Sequence, residues 1–394
     1  MKMDDQYINR IRECVKSGDI IYIYGAGKVA GIIYDVCKKN EIKIDGFCVT
    51  ELDGNVNILR GVPVVQFNTL SDKRIVFLIG AIERGEKKIS KIISQKNYRF
   101  IELPSDILMA NEEEKKRFER PTLEITPQIG CSVNCKYCPQ GTLLHTYFKY
   151  DKNRKKTMSL NEFKQCLNKC PQDTLIEFAG FVEPFLNPQS IDMMLYANDN
   201  GFDITLFTTL VGLNREGVEQ ILKIPFKEVV LHTADRDGLA NIPVTKEYCY
   251  LLKKIVDARK ADGRMFVDGA NCQSKPHPRV LEIVEDRLKI YCEMSDRAGN
   301  LDNSDGNLAT AFIEGPIYCS RSKNLDHNVL LPDGTVVLCC SDFGMQHVLG
   351  NLIEDEYVEL KSGTEMQRIK EKMHNGRTEE LLCRNCVYAL PKRK

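Results

Sequence analysis

Four short apolar runs alternate with helical patterns over the first hundred residues. Strands that alternate with helices in this way predict a parallel sheet with helices on its faces. A polar, charged stretch at 105–120 follows and predicts a linker helix. The predicted strands are 20–24, 44–49, 75–81 and 99–103, and the predicted helices are 1–17, a segment ending near 39, and about 85–96.

A second series of strands and helices begins near residue 123. Six strand–helix units joined by right-handed crossovers predict a partial barrel whose loops meet at its C-terminal mouth. The less regular tail contains a predicted β-hairpin, 329–331 and 336–338, around a Pro-Asp-Gly turn. The predicted barrel strands are 123–126, 175–179, 204–208, 229–233, 265–268 and 288–292, with helices at about 159–169, 189–200, 214–223, 245–261 and 278–286.

The charge of the chain is balanced, with Lys and Arg totalling 55 and Asp and Glu also 55. Net charge therefore gives no support for a general nucleic-acid-binding or membrane-surface role. No apolar run is long enough to span a bilayer, and the acidic first residues lack the apolar segment of a signal peptide. We expect a cytoplasmic protein with no membrane span and no nucleic-acid partner.

The unusual feature of the composition is its sixteen cysteines. In a reducing cytosol they are not expected to form disulfides. Isolated buried cysteines pack like small hydrophobic residues. Cysteines that cluster at ligand spacing instead indicate a metal site.

Three cysteines cluster directly after the first predicted barrel strand, at Cys131, Cys135 and Cys138. Three thiolates can each bind one iron of a cubane cluster, which leaves the fourth iron open to a cofactor or substrate. A loop at the mouth of a barrel is also where such a fold places its active site. The alternative is a structural zinc site completed by His145.

This Cys-x3-Cys-x2-Cys loop resembles the signature of the radical S-adenosylmethionine (SAM) superfamily, and the resemblance covers roughly residues 121–300. It implies a catalytic [4Fe–4S] cluster whose open iron binds the amino and carboxylate groups of SAM. Reductive cleavage of SAM would yield a 5′-deoxyadenosyl radical, which abstracts a hydrogen atom from the substrate. An electron donor such as flavodoxin or ferredoxin is the implied partner.

Other positions resemble the same superfamily. The segment Gly180-Phe-Val-Glu183-Pro184 is similar to its GGE-type motif, which implies that Gly180 and Glu183 receive the amino group of SAM. Tyr137 stands where relatives contact adenine, and Thr209 where they carry a polar residue after the third strand. A solvent-exposed loop acid is the alternative for Glu183.

The tail carries a second group of cysteines. A Cys-x2-Cys pair and two distant cysteines supply four thiolates for one site, and either zinc or an iron–sulfur cluster suits them. The pattern resembles the SPASM extension of radical SAM enzymes. This resemblance implies one auxiliary [4Fe–4S] cluster and leaves Cys340 without a ligand role. The implied ligands are Cys319, Cys339, Cys383 and Cys386.

A glycine motif, Gly25-x-Gly27-x-x-Ala30, joins the first predicted strand to the next helix. Such glycines permit a tight turn and the close approach of a phosphate to the helix N-terminus, and Glu51 could hold a ribose hydroxyl. A packing turn without a ligand is the alternative. Residues 20–104 resemble the Rossmann-like domains at the front of sugar O-acyltransferases, which implies that Gly25 and Gly27 bind a nucleotide-sugar.

The chain is therefore predicted to be an α/β protein with three domains. Residues 1–110 would be the Rossmann-like domain, 111–300 the partial (β/α)6 radical SAM barrel, and 301–394 a small, irregular SPASM-like domain. The function predicted from these parts is radical epimerisation or dehydrogenation of a nucleotide- or lipid-linked sugar in glycan biosynthesis. One alternative is modification of a ribosomally made peptide or protein. Another is a non-enzymatic metal-binding scaffold or redox sensor.

Epimerisation would require a thiol that returns a hydrogen atom to the opposite face of the substrate radical. Cys272 and Cys292 lie at the ends of predicted barrel strands, and Cys340 lies beside a predicted cluster ligand. These three are the candidate donors, and a buried, inert thiol is the alternative for each. His232 and Arg297 could face SAM or substrate, or could make a structural hydrogen bond or a surface ion pair.

Overall fold

A computed structural model of the chain describes residues 5–52, 57–80, 83–103, 112–285, 290–291, 295–303, 308, 312–375 and 381–392. The chain divides into two units, Met1–Phe118 and Glu119–Lys394. Within the described residues, no helix has both the length and the apolar character needed to cross a bilayer.

The first unit contains one sheet and its flanking helices. Amphipathic helices alternate with strands whose side chains are largely buried, as the apolar runs predict. The elements are α1 (Asp5–Lys16), β1 (Ile20–Tyr24), α2 (Lys28–Lys39), β2 (Gly46–Val49), β3 (Ile58–Leu59), β4 (Val62–Gln66), β5 (Ile75–Ile79), α3 (Glu83–Gln95), β6 (Arg99–Glu102) and α4 (Glu112–Glu119).

The strands of this sheet are ordered β3-β4-β2-β1-β5-β6. All pairs are parallel except β3–β4. The strand order reverses at β1, so the ends of β1 and β5 flank a switch point, as in a doubly wound fold. The expected parallel α/β sheet is confirmed, whereas the β3–β4 hairpin was not predicted.

The second unit begins with six strands and the helices that connect them. Two helices, α5 and α6, follow the first strand, and one helix follows each of the next four. The elements are β7 (Thr122–Ile125), α5 (Gln140–Tyr147), α6 (Leu160–Leu167), β8 (Leu175–Phe178), α7 (Ser190–Asp199), β9 (Ile204–Thr208), α8 (Arg215–Ile221), β10 (Glu228–His232), α9 (Lys246–Asp257), β11 (Gly269–Asn271), α10 (Pro278–Val284) and β12 (Ile290–Tyr291).

These six strands are parallel and lie in sequential order, which confirms the expected partial (β/α)6 barrel. The predicted strand at 265–268 is wrong. Met265 forms only an isolated bridge with Arg259, and the fifth strand is β11. Of the predicted strand at 288–292, only Ile290 and Tyr291 lie among the described residues.

The C-terminal segment continues the barrel sheet. The predicted hairpin is confirmed as β14 and β15, and β14 pairs in parallel with β7, so that Thr122 lies opposite His327. The sheet therefore runs from β12 through β7 to β14, β15 and β16. The elements are β13 (Ile317–Cys319), β14 (His327–Leu330), β15 (Thr335–Val337), β16 (Val348–Asn351), α11 (Tyr357–Ser362), α12 (Thr364–His374) and β17 (Ala389–Pro391).

One arginine joins the hairpin turn to the loop that follows α5. The Arg154 guanidinium pairs with Asp333 and donates to the Thr335 hydroxyl at 2.6 Å. It also lies over the Tyr147 ring, 4.0 Å from the ring centroid. Two elements far apart in the sequence are thus held together by one planar cation that both hydrogen-bonds and stacks.

Candidate active site and metal centres

The three-cysteine loop connects β7 to α5, at the C-terminal end of the barrel strands. Its backbone turns tightly, because Asn134 N donates to the Cys131 carbonyl and Cys138 N to the Cys135 carbonyl. Burial raises the pKa of Cys138, and the nearby Cys131 and Cys135 thiols raise it further. The structure therefore brings all three predicted ligands close together.

The surroundings of these thiols suit a cluster that carries negative charge. The Gln140 side-chain amide donates to Cys138 Sγ at 3.5 Å. Burial raises the pKa of Cys135, and a hydrogen bond from Tyr137 opposes that rise. Donors aimed at sulfur stabilise thiolate ligands. Tyr137 lies at the cluster loop as predicted, and its contact with adenine stays a prediction.

Glu183 lies just beyond β8 and is buried, with 5% of its surface exposed. The Thr208 hydroxyl donates to Glu183 Oε1 at 2.7 Å, and the Thr209 hydroxyl to Oε2 at 2.6 Å. Burial raises the pKa of Glu183, and these hydrogen bonds oppose the rise. The structure thus brings Glu183 and Thr209 together at the barrel mouth, where the sequence predicts both.

Gly180 is required by the close approach of two strand ends. Its φ is +54°, and a Cβ atom there would lie 2.2 Å from Thr126 Oγ1 and 3.0 Å from the Ile125 carbonyl oxygen. An L side chain is disfavoured by that conformation and excluded by those contacts. The glycine lets the Phe181 amide donate to Thr126 Oγ1 at 3.0 Å, which fixes the loop that carries Glu183.

The four predicted auxiliary ligands line one cavity in the C-terminal segment. Burial raises the pKa of Cys383, and Cys319 and Cys386 raise it further. Burial is also the largest cause of the raised pKa of Cys339, and Cys386 and Cys383 contribute to the rise. Four converging thiols around a cavity fit a four-iron cluster, the expected occupant, and their assignment as its ligands stays a prediction.

The inner wall of the barrel carries a buried charged network that the sequence did not reveal. His327 Nε2 donates to Glu124 Oε1 at 2.6 Å and lies 3.8 Å from Glu177. Arg321 lies 3.7 Å from Glu124 and donates to Cys340 Sγ at 2.8 Å. The spacing of their ligand atoms would by itself allow a metal ion to bind at Glu124, Glu177 and His327. Arg321 already supplies the positive charge that balances the carboxylates.

The protonation of this network follows from its contacts. Burial and Arg321 lower the pKa of His327, but the hydrogen bonds to Glu124 and Glu177 outweigh them and raise it. Burial raises the pKa of Cys340 to about 12, against the effect of Arg321. Burial is thus the larger effect on the thiol next to the predicted ligand Cys339.

Arg297 acts electrostatically on thiols in two segments of the chain. Burial raises the pKa of Cys138 and of Cys340, and Arg297 opposes the rise at both thiols. Burial lowers the pKa of His232 to about 4, and Arg297 lowers it further. The same cation therefore acts on the three-cysteine loop, on the end of β10 and on Cys340.

The other two candidate hydrogen donors differ from Cys340. Cys272 is buried, its thiol lies 3.9 Å from the Ala234 carbonyl oxygen, and it influences the pKa of Tyr248 on α9. Cys292 falls outside the described residues.

In the first unit, Gly25 and Gly27 form the expected strand–turn–helix junction. Gly25 has a φ of +113° and its amide donates to the Cys48 carbonyl at 2.7 Å, while Gly27 is the N-cap of α2. The backbone geometry that the glycine motif predicts is present. Phosphate binding at this turn stays a prediction.

Comparison with known proteins identifies the C-terminal segment. Residues 319–387 match the family model of SPASM, an iron–sulfur cluster-binding domain. No curated protein matches the sequence of the chain. Three solved structures are remotely similar, and the first is BtrN in complex with AdoMet and 2-DOIA, with 14% identity, coverage of 65% of this chain and 88% of that one, and a TM-score of 0.44. The second is Streptococcus suis SuiB bound to precursor peptide SuiA, with 13% identity, coverage of 77% of this chain and 82% of that one, and a TM-score of 0.43. The third is anSMEcpe with bound AdoMet, with 15% identity, coverage of 63% of this chain and 78% of that one, and a TM-score of 0.40.

Residues 319–387 are therefore a SPASM iron–sulfur domain. The partial barrel and the three-cysteine loop at its mouth have the arrangement that the sequence predicts for a radical SAM enzyme. An iron–sulfur cluster is the cofactor that the matched domain binds, and SAM and the second cluster stay predictions. The fit of the thiols supports this, because two separate groups of converging cysteines are present and neither contains a disulfide.

Measuring iron content tests whether each of the two cysteine groups binds its own cluster. Anaerobic reconstitution should give about eight irons per chain, the sum of two cubane clusters. Replacing Cys131, Cys135 and Cys138 together with Ala should remove about half, because the auxiliary thiols do not depend on that loop. Iron and labile-sulfide analysis measure this, and Cys249→Ala, on α9, serves as the control with full iron. Bound zinc without labile sulfide would contradict the assignment.

Glu183→Gln should weaken SAM binding while leaving the iron content intact. A hydrogen bond to an ionised partner contributes about 1.5–3 kcal/mol, so the expected loss of affinity is about tenfold to a hundredfold. Equilibrium titration of SAM into reconstituted protein measures it. Glu219→Gln, which removes a surface carboxylate paired with Lys254, is the control. Unchanged SAM affinity in Glu183→Gln would remove Glu183 from the site.

Proposed function

We propose that this enzyme inverts one stereocentre of a nucleotide- or lipid-linked sugar, with Cys340 as the hydrogen donor. The catalytic cluster, when bound and reduced, supplies the electron that cleaves SAM into methionine and the 5′-deoxyadenosyl radical. Cys131, Cys135 and Cys138 would hold that cluster. The carboxylate of Glu183, oriented by the Thr209 hydroxyl at 2.6 Å, would accept hydrogen bonds from the ammonium group of SAM.

The observation that carries the proposal is the position of Cys340. Its Sγ accepts a hydrogen bond from Arg321, and Arg321 in turn lies beside Glu124 on the inner wall of the barrel. Arg297 is close enough to both Cys340 and Cys138 to change the pKa of each, where burial is the larger effect. Cys340 and Cys138 also pack against the same apolar cluster, which includes Phe181.

The chemistry balances with a single thiol and an external electron donor. Removal of a hydrogen atom from carbon leaves a planar radical, and the S–H bond of Cys340 is weaker than a sugar C–H bond. The thiol therefore gives its hydrogen atom to the opposite face and becomes a thiyl radical. One electron from a flavodoxin- or ferredoxin-type donor and one proton restore the thiol.

Support for a sugar substrate comes from the first unit. Its sheet reverses strand order beside the Gly25–Gly27 turn, which is where doubly wound sheets bind nucleotides. The Gly27 backbone is the N-cap of a twelve-residue helix, α2, whose free amides and dipole favour a phosphate group. This unit would bind the nucleotide part of the substrate.

Cys340→Ala should keep reductive SAM cleavage but form no epimer. In D2O, wild-type enzyme acting on a panel of nucleotide-linked sugars should place one deuterium at the inverted carbon, because the thiol exchanges its hydrogen with solvent. Mass spectrometry of product and of 5′-deoxyadenosine measures both steps. Cys272→Ala is the matched control and should still epimerise.

Three results would contradict this proposal. Epimer formation by Cys340→Ala would exclude Cys340 as donor. An oxidised product from the wild type would mean dehydrogenation instead. Turnover of a peptide in place of every sugar would favour peptide modification.

Gly27→Val should abolish binding of a nucleotide-sugar to the full chain, because a side chain there blocks close approach of phosphate to the backbone. Gly31→Ala is the matched control within α2. A Cβ at Gly31 would come no closer than 3.9 Å to its nearest neighbour, Arg60. Calorimetric titration measures binding to the three proteins. Absence of binding even by the wild type would favour a packing turn.

A further inference from the structure

His347 connects the two cysteine-bearing segments of the SPASM domain. It is buried, with 1% of its surface exposed. Its carbonyl oxygen accepts a hydrogen bond from Leu338 N at 3.0 Å, and its ring Nε2 accepts one from Leu382 N at 3.3 Å. Leu338 directly precedes Cys339, and Leu382 directly precedes Cys383. One residue therefore holds the chain next to two predicted cluster ligands.

The other ring nitrogen fixes the orientation of the imidazole. His347 Nδ1 lies 2.7 Å from Glu365 Oε1, and Arg368 donates to the same carboxylate from Nε at 2.8 Å and from Nη2 at 2.7 Å. Because Nε2 accepts from a backbone amide, the proton of the neutral ring is on Nδ1, where it is donated to Glu365. The tautomer and the ring angle are thus set by Glu365 and Arg368.

A buried aspartate completes the connection on the other side. Asp342 N donates to the Cys339 carbonyl at 2.9 Å. The Asp342 carboxylate accepts from His347 N at 3.0 Å and from Gln346 N at 2.7 Å. The chain from Cys339 to His347 is therefore a closed, hydrogen-bonded loop.

We propose that His347, oriented by Glu365, is the positioning residue of the auxiliary cluster. It would fix the separation of Cys339 and Cys383, as hydrogen-bonded neighbours of metal ligands do in other metal sites. Fixed positions of these two thiolates would limit rearrangement of the cluster between its oxidation states. The inference rests on the SPASM domain and not on the identity of the substrate.

The test uses the full chain with Cys131, Cys135 and Cys138 changed to Ala, so that only the auxiliary cluster remains. In this background, His347→Ala leaves the buried Leu382 amide without its acceptor. We expect loss of at least half of the iron and labile sulfide, a changed EPR spectrum of the reduced cluster, and a shifted midpoint potential. Glu365→Ala should shift the spectrum and the potential in the same direction while the protein stays folded.

Rescue and control variants separate positioning from general destabilisation. Glu365→Gln keeps an oxygen that accepts the Nδ1 proton, so its spectrum and midpoint potential should lie close to those of the parent. His374→Ala removes an exposed histidine from the same helix, α12, and should change nothing.

An unchanged spectrum and potential in both His347→Ala and Glu365→Ala would overturn the proposal. So would an iron-free parent, since no auxiliary cluster would then exist. Neither outcome depends on sugar turnover or on Cys340, so this test fails or succeeds separately from the proposed function.

Discussion

The parallel pairing of β14 with β7 is the contact on which the second unit depends. β7 is the first strand of the barrel, and without a neighbour its free edge would expose unpaired backbone groups. β14 covers that edge and extends the same sheet through β15 to β16. The segment that carries the predicted auxiliary ligands is thereby held beside the strand whose C-terminal loop carries the predicted ligands of the catalytic cluster.

Buried charge accompanies this pairing. Glu124 on β7 and His327 on β14 form an ion pair 2.6 Å long, with Arg321 and Glu177 close by. Removing one member of such a network leaves an uncompensated buried charge, which costs more than the complete network contributes to stability. These side chains therefore specify which segment occupies the β7 edge. They also lie on the inner wall of the barrel, where Arg321 donates a hydrogen bond to Cys340.

The sequence predicted the parts of the structure that depend on local pattern. Buried aliphatic runs located most of the strands, and β9 was predicted residue for residue. Cysteine spacing predicted both groups of thiols that the fold brings together. Glu183 and Thr209, chosen because they resemble a family motif, lie within hydrogen-bonding distance.

Most of the elements that the sequence analysis missed depend on partners distant in the sequence. β11 consists of Gly269, Ala270 and Asn271, residues with little strand preference, and its pairing with β10 decides its position. Helix α5 was not predicted for a local reason, because Gly141 weakens its helical pattern. The parallel partner of β14 lies two hundred residues upstream and leaves no local signal, so neither Arg321 nor His327 could be recognised as part of a site.

The adjacency of Cys339 and Cys340 has a consequence for how this protein can change. Both thiols line the auxiliary cavity, and the second also accepts a hydrogen bond from Arg321, which lies 3.7 Å from Glu124. A single peptide unit therefore joins the predicted cluster ligand to the thiol proposed as hydrogen donor. Deletion of either residue would remove one thiol and shift the other, so one such change would affect both proposed roles.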